Sequence, residues 1–269
     1  MTRFPFEFVP IPAERTQTKP RRNGRTMVID WGMDLGRVEG LLRLSGRYID
    51  IMKIPIGTSR LYEESLLREK FDLYRSHQVL TFVGGGFVEH VYATEGMSAL
   101  GRFFEEVKRV GFDVLEISDN YIPLSRDERQ TQIRMAREHG LTVYGEVGSK
   151  HEKTDAATLI RQAEECFEAG AEAVLLEGAE LIEDGVIKRD LLEGLRAGLD
   201  MSRALIEAPG PWISGVTWSM VQDLVKLLIR EVGPDVNLAN IMPDDALHTE
   251  ALRVGLGVVQ PTVRTAGAN

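Results

Sequence analysis

Eight short apolar runs, recurring at intervals of roughly thirty residues, restrict this chain to few architectures. They are TMVID (26–30), YIDIMK (48–53), VLTFVG (79–84), DVLEIS (113–118), LTVYGE (141–146), EAVLLEG (172–178), RALIEA (203–208) and VNLAN (236–240). Each is rich in Val, Ile and Leu and mostly unbroken, as strands covered on both faces should be. Helical patterns lie between them. The spacing predicts helices over 127–140, closing on Gly140, and over 154–170, capped by Thr154 or Asp155 and closing on Gly170. Two more are expected over 220–233 and 244–255. Alternating strands and helices give either a closed (β/α)8 TIM barrel or a doubly wound open sheet. Eight units in one beat, without a break in composition, favour the closed barrel as a single α/β domain over 25–260. An irregular arm over 1–24 and a tail over 261–269 complete the expected organisation.

The arm mixes charges and prolines with Phe4, Phe6 and Phe8, and has no continuous apolar stretch of the kind a signal peptide carries. Its phenylalanines are expected to dock on the domain or on a neighbouring subunit, which points to a homo-oligomer. Cys166 is the single cysteine, so no internal disulfide can form, and a reducing cytoplasm is the expected setting. No apolar stretch approaches the length of about 18 residues that a membrane span needs. A net charge of −9 argues against nucleic acid as a partner. It does not exclude a small anionic substrate, because a local site can oppose the overall sign.

A barrel keeps its chemistry at the C-terminal ends of its strands. Those ends carry Asp30, Lys53, Glu89 with His90 a little further on, Glu116, Glu146, Glu177, Glu207, and Asn237 or Asn240. Six of these eight positions offer a carboxylate. Two carboxylates about 4 Å apart repel by roughly 4 kcal/mol at an effective dielectric of 20. A convergent set therefore needs a cation, a lysine or shared protons. A hard divalent ion such as Mg²⁺ suits an oxygen-rich site, with Glu116, Glu146 and Glu177 as candidate ligands. Lys53 and Lys150 are candidate fixed cations. Taken singly, each of these acids also fits a helix cap or an arginine partner. Two weaker signals have two readings each. GGG (84–86) is an anion loop or a simple turn, and GTS (57–59), with Thr58 and Ser59, is an anion loop or a helix cap. His90 reads as a hydrogen-bonded structural residue and Cys166 as a small buried apolar group. No P-loop, nucleophile elbow, dinucleotide fingerprint or zinc spacing is present.

The motifs MVIDWG (27–32), YIDIMKIPIGTS (48–59), GGGFVE (84–89), GFDVLEISD (111–119), GEVGSK (145–150), EAGAEAVLLEG (168–178), LIEAP (205–209) and GPDVNLANI (233–241) run in one characteristic order. Over residues 25 to 258 the chain resembles the phosphosulfolactate synthase family, including its plant heat-stress relatives. The resemblance implies a (β/α)8 barrel that adds sulfite to phosphoenolpyruvate with Mg²⁺, an early step toward coenzyme M. It implies Lys150 as the proton donor to carbon and a metal-stabilised enolate. It also carries over Lys53, Glu146 and Asp30 to the acid–base core, and Asp119, Glu207 and Asn240 to the substrate site beside Thr58, Ser59 and Gly85; Gly86, Trp31 and Ser149 are expected at the same site although they depart from the family pattern.

The departures from the family pattern concern cations. Trp31 and Ser149 stand where the family has lysines, and Ala179 where it has an arginine. Pro55, Ile56, Gly86 and Asn120 are further departures, and GPWISGVTWS (210–219) adds Trp212 and Trp218. The expectation is a lyase or synthase that makes or breaks a bond β to a carboxylate, acting on a small anionic carboxylate substrate altered from the family's own, with the family's own sulfite addition to phosphoenolpyruvate kept open. Two other readings stand beside it: a non-catalytic, stress-related or scaffolding barrel, and an aldolase using Lys53 or Lys150 as a Schiff base.

Overall fold

All eight apolar runs form strands in the computed structural model, which describes residues 4–148, 154–183 and 186–257. The strands are β1 (Thr26–Ile29), β2 (Ile51–Ile54), β3 (Leu80–Val83), β4 (Val114–Ile117), β5 (Thr142–Val147) and β6 (Ala173–Leu176). A two-stranded hairpin follows, β7 (Ile182–Glu183) with β8 (Val186–Ile187), and then β9 (Ala204–Glu207) and β10 (Leu238–Ile241). Parallel pairing in the order β1-β10-β9-β6-β5-β4-β3-β2 closes the barrel, which removes the open sheet from consideration. Nine α-helices are present among the described residues: α1 (Leu35–Ser45), α2 (Glu64–Ser76), α3 (Gly85–Glu95), α4 (Leu100–Val110), α5 (Arg126–Glu138), α6 (Ala156–Glu168), α7 (Arg189–Gly198), α8 (Trp218–Val232) and α9 (Ala246–Arg253). The caps follow the sequence. Ser125 and Glu128 form a reciprocal capping box on α5, and the Asp155 carboxylate accepts from Thr158 N at the start of α6.

Side chains alternate in and out along each strand. Val28, Met52, Leu115, Val143, Val174 and Ile206 point outward into the layer shared with the helices. Met27, Ile51, Phe82, Val114, Tyr144, Leu175 and Leu205 point inward and fill the barrel. Two residues beyond Ile51, Val114, Tyr144, Leu175 and Leu205 stand Lys53, Glu116, Glu146, Glu177 and Glu207, all buried. The strand period therefore stacks a charged layer directly on an apolar one.

The opposite end of the barrel is sealed by arginines. Arg25 donates to the Tyr144 hydroxyl at 2.7 Å, and buried Arg253 donates to the carbonyls of Pro234 and Val236, both at 2.6 Å. Asn237 belongs to this end: its amide nitrogen donates to the carbonyls of Met201, Ser202 and Ala204. The arm crosses the same end, where Arg15 pairs with Glu250 and Asp235 and Arg21 pairs with Asp50. Phe6 and Phe8 do not dock on their own domain; they are 73% and 84% exposed. No helix among the described residues is long and apolar enough to cross a membrane.

Candidate active site

The C-terminal mouth holds a cavity of about 210 Å³, floored by Lys53, Glu116, Glu146 and Glu207 of the charged layer. Lys53 sits at its centre. Its Nζ lies 3.0 Å from Glu116 Oε2 and 2.9 Å from Glu207 Oε1. Burial alone would strip this amine of its proton, but the negative charges of Glu116, Glu207 and Glu146 outweigh it and raise the lysine above its ordinary range. Lys53 is therefore a fixed cation. Glu116 moves the other way from a normal carboxylate. Burial pushes it well above the usual range despite Lys53, and the neighbouring Glu146 and Glu207 push it further. Glu116 and Glu146 lie within hydrogen-bonding reach of each other, the arrangement in which two acids share one proton.

Backbone and side-chain donors position the acids. Glu116 Oε2 also accepts from Gly85 N at 2.8 Å, at the start of α3. A Cβ on Gly85 would fall 2.2 Å from Ser118 Oγ, so only glycine lets the helix start approach β4 this closely. Glu146 accepts from Asn120 Nδ2 at 2.6 Å, and Glu177 from Ala179 N at 2.9 Å. Glu146, Glu177 and Glu207 each bring a carboxylate oxygen within 4.8 Å of the others. Three buried carboxylate oxygens with no imidazole or thiolate among them form the donor set that a hard divalent cation takes.

Two residues of the mouth hold the left-handed backbone region that β-branched and most other side chains avoid: Ile56 at φ 44° and Asn240 at φ 57°. Such conformations cost of order 1–3 kcal/mol and gather at functional sites. Asn240 sits where the pairing of β10 with β1 shifts register, a bulge that places it on the lining of the mouth. Its Oδ1 is buried and has no hydrogen-bond partner among the described residues.

Several residues singled out in the sequence lie elsewhere. Asp30 does not line the mouth. Its fully buried carboxylate turns into the wall, accepting from Gly32 N, Met33 N and the Tyr74 hydroxyl at 2.6 Å, and pairing with Lys70 Nζ at 2.5 Å. Asp30 thus anchors the loop that carries Trp31. Thr58 donates to the Pro55 carbonyl at 2.7 Å, and Ser59 lines a separate cavity between the helices, so neither faces the charged floor. Asp119 pairs with Arg129 behind β4. Of the three candidate metal ligands, Glu146 and Glu177 converge with Glu207, itself paired with Lys53, whereas Glu116 stands outside that trio between Lys53 and Gly85 N. Glu89 is not a strand end. It lies within α3, accepting from Ser118 Oγ, Tyr121 N and Ile122 N, and so secures the β4–α5 loop. Gly86 and Trp31 do line the mouth. Of the two added tryptophans, Trp212 reaches it, whereas Trp218 donates to Asp245 Oδ1 and stacks on His248. Ser149 and Lys150 lie outside the described residues.

The barrel alone says little about chemistry. The YdjI aldolase from Escherichia coli K12 superposes with a TM-score of 0.55 at 11% identity, covering 84% of this chain and 78% of that one, which shows the shared fold and no more. Sequence carries further. The pattern of the family described as (2R)-phospho-3-sulfolactate synthase (ComA) matches residues 14–258. Phosphosulfolactate synthase from Methanothermobacter thermautotrophicus is 32% identical over 262 residues, covering 93% of this chain and 95% of the relative. Protein HEAT-STRESS-ASSOCIATED 32 from Arabidopsis thaliana is 23% identical over 248 residues, covering 82% of each. Matched along most of its length, this chain belongs to the (2R)-phospho-3-sulfolactate synthase family.

Proposed function

We propose that this protein is a Mg²⁺-dependent synthase that joins a nucleophile to the carbon β to a carboxylate. The observation that carries the reading is the buried ring of Glu116, Glu146, Glu177 and Glu207 around Lys53 at the catalytic end of the barrel. Glu146, Glu177 and Glu207 would hold the ion. Bound there, Mg²⁺ would supply Lewis-acid stabilisation of negative charge developing on the substrate carboxylate. Lys53 contributes a fixed positive charge and, held protonated by its glutamates, is unsuited to act as a Schiff-base nucleophile. Asn120 orients Glu146, and Gly85 N with Lys53 orients Glu116. In the bond-forming step the sulfur lone pair of sulfite makes a C–S bond at the β-carbon. The C=C electrons move toward the carboxylate, and Lys150 delivers a proton to the α-carbon. The role of Lys150 rests on the family motif GEVGSK (145–150).

The test uses purified full-length protein with sulfite and either phosphoenolpyruvate or cinnamate, with and without MgCl₂, and follows sulfonated product by mass spectrometry. Product from at least one acceptor, dependent on Mg²⁺ and lost in Glu177→Gln and Lys150→Ala, is expected. Calorimetry should also show Mg²⁺ binding that Glu177→Gln removes. No product from either acceptor at saturating Mg²⁺ overturns the proposal.

A further inference from the structure

The mouth cavity has two halves of opposite character. Below is the charged floor. Above it Trp31, on the β1–α1 loop, and Trp212, on the β9–α8 loop, meet with ring centroids 5.5 Å apart and planes at 50°. Ile56 and Tyr121 extend this apolar rim, and all four side chains are left partly or largely open to solvent. Apolar groups gathered exposed around a concave site mark a surface that something else covers. The rim is also built to stay where it is. The Trp212 indole lies over Gly210, where an added Cβ would fall 2.1 Å from ring atoms, so glycine is what lets the ring fold back toward Trp31. Ile56 is held at φ 44°, and the loop carrying Trp31 is fixed through the buried Asp30–Lys70 pair.

A second, independent feature points into the same space. Asn240, 7% exposed and set on the bulge of β10, is one of the lining residues, and nothing among the described residues donates to its buried Oδ1. A buried acceptor left without a partner is costly, and turning the side-chain amide toward the cavity would offer it a ligand O–H or N–H. A phosphate dianion suits neither feature: it has no flat apolar surface and is chiefly an acceptor. Among the described lining residues the one cationic side chain is Lys53, already held between Glu116 and Glu207.

We propose that the ligand of this mouth is a small carboxylic acid bearing a planar apolar group, seated against Trp31 and Trp212, and an O–H or N–H donor for Asn240, in place of a phosphate ester. The inference rests on the preceding reading of the floor as a carboxylate-binding site. The cavity, about 210 Å³, is below the range of drug-sized pockets and suits a compact acid.

Isothermal titration of the full chain in saturating MgCl₂ with three probes tests it: 3-phenyllactate, 3-phenylpropionate and phosphoenolpyruvate. Phenyllactate should bind roughly tenfold or more tighter than phosphoenolpyruvate, and roughly tenfold tighter than phenylpropionate, which lacks the hydroxyl. Trp212→Ala, on an exposed loop, and Gly210→Ala, which displaces the ring without deleting it, should each weaken phenyllactate about tenfold and leave phosphoenolpyruvate within about twofold. Asn240→Ala should erase the advantage of phenyllactate over phenylpropionate. Phosphoenolpyruvate binding as tightly as phenyllactate, or no loss in either loop variant, overturns the inference. If Mg²⁺-dependent sulfonation of phosphoenolpyruvate is seen while phenyllactate is ignored, the functional reading stands and this inference alone falls. If neither acid binds and no sulfonated product forms, both fall.

Discussion

Replacing Lys53 by methionine removes the buried cation shared by Glu116 and Glu207 while keeping its volume. At 3.0 and 2.9 Å, each Lys53–glutamate contact has a gross Coulomb energy of about 5–6 kcal/mol at an effective dielectric of 20. Desolvation of the buried amine cancels part of this, and truncating one partner of a buried ion pair typically costs about 3–5 kcal/mol. We expect Lys53→Met to lose that much stability near pH 8, since Glu116 and Glu207 then lose the cation they share. The sign with pH follows from the shifts. Lys53 is raised above its unfolded value, so its stabilising contribution is fully present below 10.5 and is lost only as pH climbs through the folded value. Between pH 8 and 5 the wild type therefore keeps the whole contribution. In the variant, the glutamates that lined Lys53 take up protons as pH falls, starting with Glu116, already raised by burial. The deficit should shrink steadily from pH 8 toward pH 5. Urea unfolding followed by far-ultraviolet circular dichroism at pH 8, 6.5 and 5 reads this directly. A loss below about 1 kcal/mol at pH 8, or one that does not change with pH, would refute the idea that Lys53 compensates the ring.

Two further outcomes concern groups away from the floor. Asp30→Asn keeps an acceptor for Gly32 N and Met33 N but leaves Lys70, with no exposed surface, without its anion; we expect a loss of about 3–5 kcal/mol by urea unfolding. A change of under about 1 kcal/mol would mean that Asp30 is not the anchor of the β1–α1 loop. Burial pushes the Cys166 thiol up from 9.0 to about 11, so the folded state holds its proton more tightly than the unfolded chain. That contribution is complete below pH 9 and disappears as pH rises through about 11, a swing of about 3 kcal/mol. Cys166→Ala should flatten the alkaline arm of the stability profile between those values, and an unchanged arm would remove the thiol from the account.

The closed barrel was legible because two simple signals agreed: apolar runs of strand length, and helices between them with their own caps. The charged floor was legible too. Period-two alternation carries Ile51 to Lys53, Val114 to Glu116, Tyr144 to Glu146 and Leu205 to Glu207, so once the lower residue faces inward the upper one must. What could not be read was which partner each acid meets. Asp30 stands two residues beyond outward-facing Val28, so the same alternation turns it into the wall, but the sequence does not show that Lys70 and Tyr74, some forty residues away on α2, meet it there. Glu89 follows the third apolar run closely enough to read as its end, whereas Gly84 caps α3 and places Glu89 inside that helix. The glycines let that helix start against Glu116 and Ser118, a contact between sequence-distant elements.

Asn240 and Trp212 mark the limit of such reading in physical terms. Nothing in VNLAN shows that one extra residue enters the pairing of β10 with β1, yet that shift in register is what directs Asn240 into the mouth. Likewise, two tryptophans six residues apart have equal claims on composition. Their fates are decided by Gly210, which gives Trp212 room to fold toward Trp31, and by Asp245 and His248, which hold Trp218 to α9. The charged chemistry of the site is thus set by strand periodicity, which a sequence displays openly. The shape of the space above it is set by a bulge and by one missing Cβ, whose effects appear only when distant segments meet. Substitutions at the rim can for that reason change what the site admits without disturbing the floor, and the tryptophan rim over an intact ring of acids is the outcome that separation permits.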